Sequence, residues 1–82
     1  MATLNVAVTD ATSGAGIPYT LVQVGGLSDS TGVDGTASFD VPLNSSQVVK
    51  VRHSAYRPWT TTVQVSSDPT NVKVQLQRVA LG

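Results

Sequence analysis

Apolar and polar residues alternate along most of this chain with a period of two. In the first ten residues Leu4, Val6 and Val8 share one parity, and the residues between them are polar or small. This alternation is typical of β-strands with one buried face and one solvent-facing side. The same pattern returns in "YTLVQVGG", "TASFDV", "QVVKVRH", "WTTTVQV" and "NVKVQLQ". No segment keeps a 3.6-residue period over ten residues, so the sequence predicts an all-β protein.

The parity of each segment also predicts which side chains face the interior. Pro18 is expected to open the second strand, because its missing N–H is tolerable at a strand start. The residues predicted to face inward in the later segments are Val22, Val24, Ala37, Phe39, Val41, Val49, Val51, Trp59, Thr61, Val63, Val65, Val72, Val74 and Leu76. Because every strand has one solvent-facing and one buried face, two packed antiparallel sheets are expected. The predicted fold is a small antiparallel two-sheet sandwich of six to seven strands.

The stretch "STGVDGTASFDVP" raises the question of an active-site loop, a metal loop or a corner between strands. Gly35 permits a positive φ, and the Asp34 carboxylate can cap its own turn. Asp-Gly between two extended segments is also a hairpin-type signal. A calcium loop would use Asp29 and Asp34, but calcium takes six to eight oxygens, usually with several carboxylates. Two carboxylates without alternating Asp-x-Asp spacing favour a corner.

Composition narrows the class of protein. The 82 residues suit one domain, residues 1–82, and the absence of cysteine excludes disulfides and thiol chemistry. Five basic and five acidic side chains cancel, which argues against general nucleic-acid binding and gives little electrostatic protection from self-association. No apolar run is long enough to span a membrane. The N-terminus lacks the pattern of a secretory signal, so synthesis in the cytoplasm is expected.

Three segments together resemble the carboxypeptidase regulatory-like domain family, small β-sandwiches with a transthyretin-like (prealbumin-like) fold. The opening strand and "GIPYTLVQV" resemble that family's Val-rich strand, Gly-x-Pro and second Val-rich strand. "STGVDGTASFDVP" resembles its Thr-x-x-x-Gly-x-x-x-Phe signature, and "VKVRHSAYRPWTTTVQV" resembles a strand, a Gly-Tyr turn and another strand. The matching residues are Gly16, Pro18, Val22, Val24, Thr31, Gly35, Phe39 and Tyr56.

Two positions depart from that family's pattern. Gly32 stands where Asp or Asn is usual, and Ala55 stands where a glycine usually precedes the tyrosine. Bacterial immunoglobulin-like domains share the Thr-x-x-x-Gly-x-Ala-x-Phe pattern and are the competing resemblance. Both resemblances imply a similar sandwich, and neither implies catalysis.

Candidate chemistry is sparse. His53 is the only histidine, and a general base would need a nearby nucleophile and an orienting carboxylate. The enzyme 5-hydroxyisourate hydrolase has a transthyretin-like fold, but its members carry more than one histidine and end in Tyr-Arg-Gly-Ser, whereas this chain ends "QRVALG". The sequence therefore predicts no enzyme, no cofactor and no metal site.

Two segments are candidates for partner contact. Tyr56, Arg57 and Trp59 combine residue types that are frequent in interface hot spots. The alternative is that Tyr56 packs over the end of the sandwich as the family's turn tyrosine, with Trp59 beginning the next strand. The tail, residues 79–82, is predicted to be a docking arm that buries Val79 and Leu81, so its deletion should weaken assembly.

These observations predict a non-enzymatic structural or interaction module. The resemblance and the missing export signal suggest a small bacteriophage virion component, a capsid decoration protein or a tail or fibre adaptor. It would assemble with itself or with other virion subunits through sheet edges and the tail. The alternative is a carbohydrate-binding or adhesion domain excised from a larger exported, extracellular protein, with exposed rings at Tyr56 and Trp59 that bind glycan.

Overall fold

The fold is given by a computed structural model that describes residues 1–79 and contains seven β-strands over that range. The strands are β1 (Ala2–Asp10), β2 (Leu21–Val24), β3 (Leu27–Ser30), β4 (Thr36–Val41), β5 (Ser45–Arg52), β6 (Trp59–Val65) and β7 (Thr70–Leu76). They form a three-stranded sheet, in the order β4-β1-β7, and a four-stranded sheet, in the order β3-β2-β5-β6. The predicted all-β sandwich is confirmed.

One strand pair differs from the predicted antiparallel arrangement. β1 pairs antiparallel with β4 but parallel with β7, with Val6 opposite Val72. A parallel pair needs a long crossover connection. Here the connection contains five strands, β2 to β6, four of which form the opposite sheet. Period-two burial does not depend on strand direction, which is why the sequence pattern missed this pairing.

The interior follows the predicted parity. β1 alternates between buried and half-buried residues along its whole length, because it is the central strand of its sheet. The side chains that are most completely buried are Leu4, Val6, Val8, Val22, Val24, Val41, Val49, Val51, Val65, Val74 and Leu76. Trp59, Thr61, Val63 and Val72 also point inward but are only half-buried. Three of these four lie on β6. This strand is the outermost of the four-stranded sheet, and the three-stranded sheet that packs against it has one strand fewer.

The second strand begins later than predicted. Pro18 and Tyr19 form a turn, Tyr19 has a φ of +57°, and β2 starts only at Leu21. A left-handed residue cannot continue an extended strand. The expectation that Pro18 opens the strand is therefore wrong by three residues.

The Asp34-Gly35 corner is confirmed, but its hairpin interpretation is wrong. The strands on either side, β3 and β4, belong to different sheets, so the corner carries the chain across the sandwich. Gly35 has a φ of +83°, and its N–H donates to the Gly32 carbonyl at 3.0 Å. The Asp34 carboxylate accepts hydrogen bonds from the N–H of Thr36 at 3.1 Å and from its hydroxyl at 2.8 Å.

Gly35, Thr31 and Gly16 hold this corner against the first turn of the chain. A Cβ on Gly35 would lie 2.7 Å from the Val8 carbonyl oxygen, and one on Gly16 would overlap the Asp34 carbonyl. The buried Thr31 hydroxyl donates to the Ile17 carbonyl at 2.7 Å. Gly16, Thr31 and Gly35, which belong to the Gly-x-Pro and Thr-x-x-x-Gly motifs, thus stabilise the corner at which the chain crosses from one sheet to the other.

Candidate functional site

Tyr56 lies at the end of the sandwich, where it is buried and hydrogen-bonded to another residue of the same chain. The residue is 8% exposed. The hydroxyl donates a hydrogen bond to Asp10 Oδ2 at 2.7 Å, across 46 positions of sequence. The alternative in which Tyr56 packs over the end of the sandwich agrees with this geometry. The expectation of an exposed ring at Tyr56 is wrong, because burial and the Asp10 hydrogen bond hold the side chain inside.

Asp10 is the acceptor around which this end is organised. Its Oδ1 accepts the N–H groups of Thr12 at 2.8 Å and Ser13 at 3.1 Å, closing the turn after β1. Its Oδ2 accepts the Tyr56 hydroxyl and, at 3.4 Å, Arg78 Nε. These donors favour the ionised carboxylate. The Tyr56 hydroxyl is the largest cause, followed by the Thr12 and Ser13 N–H groups, and together they lower the Asp10 pKa from 3.8 to about 2.

Sequence reasoning missed Asp10, although the chain carries a signal for it. Asp10 continues the inward parity of Leu4, Val6 and Val8, so it is a carboxylate placed where the pattern calls for an apolar residue. A buried carboxylate requires hydrogen-bond donors. The distant donors Tyr56 and Arg78 could be found only once the strands were paired. We call Asp10, Tyr56 and Arg78 the Asp10 cluster.

The start of the predicted docking tail is attached to this cluster. Arg57 N–H donates to the Gln77 carbonyl at 2.9 Å, and Val79 N–H donates to the Ala55 carbonyl at 3.1 Å. The Arg78 guanidinium carbon lies 5.7 Å from the centre of the Tyr56 ring. Val79 is 43% exposed, while Leu81 lies outside the described residues. The backbone of Val79 is therefore held by its own domain, and its apolar side chain is open to contact.

Tyr56 and Trp59 do not form one aromatic surface. Tyr56 lines an open depression of about 460 Å³ together with His53, Arg52 and Pro58. Trp59 and the exposed Arg57 line a second depression of about 240 Å³. Trp59 is half-buried and packs against the core. The three residues predicted as one contact cluster are thus divided between two small depressions.

His53 has a local structural contact. Its Nδ1 accepts the N–H of Ala55 at 3.1 Å, and its ring meets the Tyr56 ring edge-on with centroids 5.1 Å apart. No carboxylate pairs with His53 among residues 1–79. In the same range, no three acidic or histidine side chains come together as metal ligands would.

Asp29 and Asp34 are each engaged close to their own positions. Asp34 binds Thr36, whose hydroxyl and N–H lower the pKa of the Asp34 carboxyl. Asp29 Oδ1 accepts the N–H of Ser30 at 2.8 Å. Each carboxylate thus accepts hydrogen bonds from residues one or two positions further along the chain.

The feature that distinguishes the surface is the outer edge of β6. Four strands lie at sheet edges, and three of them carry a charge: Asp29 on β3, Asp40 on β4 and Lys73 on β7. β6, "WTTTVQV", has seven residues with no charge and no proline. Charges, prolines and short length are the devices that keep edge strands from pairing with other chains. Along the described chain, β6 is the edge without them.

The strand register shows which backbone groups of β6 face this edge. Gly25 N–H donates to the Val48 carbonyl, so the backbone of Val48 points towards β2 and that of the next residue, Val49, towards β6. Val49 lies opposite Thr61, so Thr61 directs its N–H and carbonyl into the sheet. By alternation, the backbone groups of Thr60, Thr62 and Gln64 face outward.

The composition of β6 is visible in the sequence, but its edge position is not. Only the pairing order of the strands shows that β6 ends its sheet.

No helix in residues 1–79 has the length and apolar character needed to cross a membrane. Compared with protein-family models and with curated proteins, the chain matches none.

Proposed function

We propose that this protein is a non-enzymatic interaction module that joins a larger protein assembly through the open edge of β6. The observation that carries the proposal is the row of outward backbone groups at Thr60, Thr62 and Gln64 on an uncharged strand. An added strand from another protein can use such groups as a ladder, which gives affinity without a pocket.

The surroundings of the edge support protein contact. Val48, which lies beside Thr62 on the outer face of the sheet, is 44% exposed. On the inner face Trp59, Thr61 and Val63 are half-buried, so a strand added to β6 would cover apolar surface there.

A bacteriophage virion is the specific setting that we propose for this assembly, as a capsid decoration or tail or fibre component. The zero net charge and the neutral edge suit contact with other protein subunits. The Val79 side chain, exposed beside the Asp10 cluster, is a second contact in this proposal.

The test is incorporation into particles isolated from the source. Wild-type protein is compared with Thr62→Lys, which places a charge at the middle of the β6 edge. The control is Ser28→Lys, because Ser28 lies exposed on β3, at the opposite edge of the same sheet.

We expect stoichiometric incorporation of wild type and of Ser28→Lys, and loss of Thr62→Lys. Absence of the wild-type protein from any assembly, or equal incorporation of all three proteins, would contradict the proposal.

A further inference from the structure

We propose that β6 pairs with β6 of a second copy of this chain, antiparallel about a two-fold axis at Thr62. The inference rests on the proposed function, because it names the first partner of the β6 edge. It joins two four-stranded sheets into one continuous sheet of eight strands.

The sequence of β6 is compatible with its own reversal. Thr62 is the middle residue of Trp59–Val65 and would lie opposite Thr62 of the second copy. Thr60 would then lie opposite Gln64, Thr61 opposite Val63, and Trp59 opposite Val65. Thr–Thr pairs and aromatic–β-branched pairs are favourable across antiparallel strands.

The backbone groups agree with this register. Residues that exchange hydrogen bonds in an antiparallel pair must both direct their backbone towards the partner strand. Thr60, Thr62 and Gln64 are the outward-facing residues of β6. In the proposed register they lie opposite Gln64, Thr62 and Thr60, so every hydrogen-bonded pair joins two outward-facing residues.

Like-charge repulsion disfavours self-pairing at the other sheet edges, which leaves β6 as the edge best suited to pair with its own copy. A two-fold axis through the middle of β7 would place Lys73 opposite its own symmetry mate. β4 carries Asp40, and β3 is only four residues long and carries Asp29. At β6 no charge meets a like charge, since the nearest cation, Lys50, lies beside Thr60 and would face Gln64 of the second copy.

The outer face adds an apolar contact at the axis. Val48 lies directly beside Thr62. In the paired sheet the row across the axis is Val48, Thr62, Thr62 and Val48. The two Thr62 side chains meet at the axis, and burial of their methyl groups against each other favours association.

The first experiment measures the native mass of the purified full chain over a concentration series. We expect wild type and Ser28→Lys to form dimers, and Thr62→Lys and Thr62→Glu each to be monomeric, because like charges meet at the axis. Mixing the two Thr62 variants should restore a heterodimer. Circular dichroism confirms that each variant is folded.

The second experiment uses the absence of cysteine from the chain. Residues opposite each other in a hydrogen-bonded antiparallel pair have Cα atoms about 5.5 Å apart, within disulfide reach. Thr62→Cys should therefore cross-link to itself on mild oxidation, and Ser28→Cys should not.

The outcomes separate this inference from the proposed function. A wild-type monomer at all concentrations overturns self-pairing, and so does a dimer that is insensitive to charge at Thr62 or gives equal cross-linking at positions 62 and 28. In each case incorporation into particles still decides the proposed function independently. A dimer that no particle incorporates supports the pairing and removes the wider assembly role.

Discussion

The Asp10 cluster and the β6 edge use polar groups in opposite ways. In the cluster, Tyr56 and Arg78 donate to one carboxylate from distant parts of the chain, which holds the end of the sandwich together. At the β6 edge, the outward backbone groups have no partner strand within the described chain. The polar groups of the cluster are thus satisfied within the chain, whereas those of the edge are left open, and this difference is why we propose the edge as the association surface.

The largest expected effect follows from removing the acceptor of the cluster with Asp10→Ala. The Tyr56 hydroxyl would lose its partner in a buried position, and the Thr12 and Ser13 N–H groups would lose theirs. We expect Tm to fall by roughly 10 °C, while cross-linking through Thr62→Cys is retained below Tm. Scanning calorimetry and the cross-linking assay check the two halves. An unchanged Tm would show that the cluster does not stabilise the fold.

A smaller loss is expected for Tyr56→Phe. This substitution removes the hydroxyl but keeps the buried ring and its edge-on contact with His53. We expect Tm to fall by roughly 5 °C. Tyr19→Phe is the matched control, because Tyr19 is 73% exposed and should tolerate the change without effect. Equal Tm shifts in the two variants would contradict the role assigned to Tyr56.

Lowering the pH should weaken the Asp10 cluster but leave the β6 edge unchanged. The folded state lowers the Asp10 pKa from 3.8 to about 2, so the unfolded chain binds a proton at higher pH than the folded one. The contribution of Asp10 to the free energy of unfolding is therefore complete above about pH 4 and is lost as the pH falls towards 2.

Urea unfolding across that pH range measures this contribution. Tyr56→Phe should show a shallower loss than wild type, because the largest cause of the lowered pKa is gone. Parallel pH curves for the two proteins would contradict the assignment.

The smallest expected effect on stability belongs to the edge. Thr62 is exposed and its side chain has no hydrogen-bond partner among residues 1–79, so Thr62→Lys should change the free energy of unfolding of the monomer by only about 0.5 kcal/mol. Urea unfolding at concentrations where all variants are monomeric checks this value against Ser28→Lys. A large destabilisation by Thr62→Lys alone would mean that loss of association reflects unfolding.

Much of the fold could be predicted from the sequence because burial alternates so regularly. The inward positions of β1, β4 and β5 follow directly from their valine, leucine and phenylalanine parity. The corner at Gly35 was also predictable, since Asp-Gly before a strand leaves few alternatives. The crossing of that corner between sheets was not, because turn residues do not specify which sheet receives the next strand.

The candidate site was harder to predict for the same physical reason. Tyr56, Arg57 and Trp59 are adjacent in sequence and were expected to act together, but a turn followed by a strand separates their side chains. Asp10 and Arg78 lie 68 positions apart, and only the parallel pairing of β1 with β7 brings them together. The edge position of β6 likewise depends on strand order, which period-two burial does not encode.

Amide hydrogen exchange shows whether the outward backbone groups of β6 gain hydrogen-bond partners from a second copy. Thr60, Thr62 and Gln64 should become protected as the concentration of wild-type protein rises, and Thr61, which faces β5, should be protected throughout. Ser28, whose backbone faces the open edge of β3 by the same alternation, should exchange fast at every concentration. Fast exchange at Thr62 in concentrated wild-type protein, or equal protection at Ser28 and Thr62, would show that β6 does not pair with β6 of a second copy.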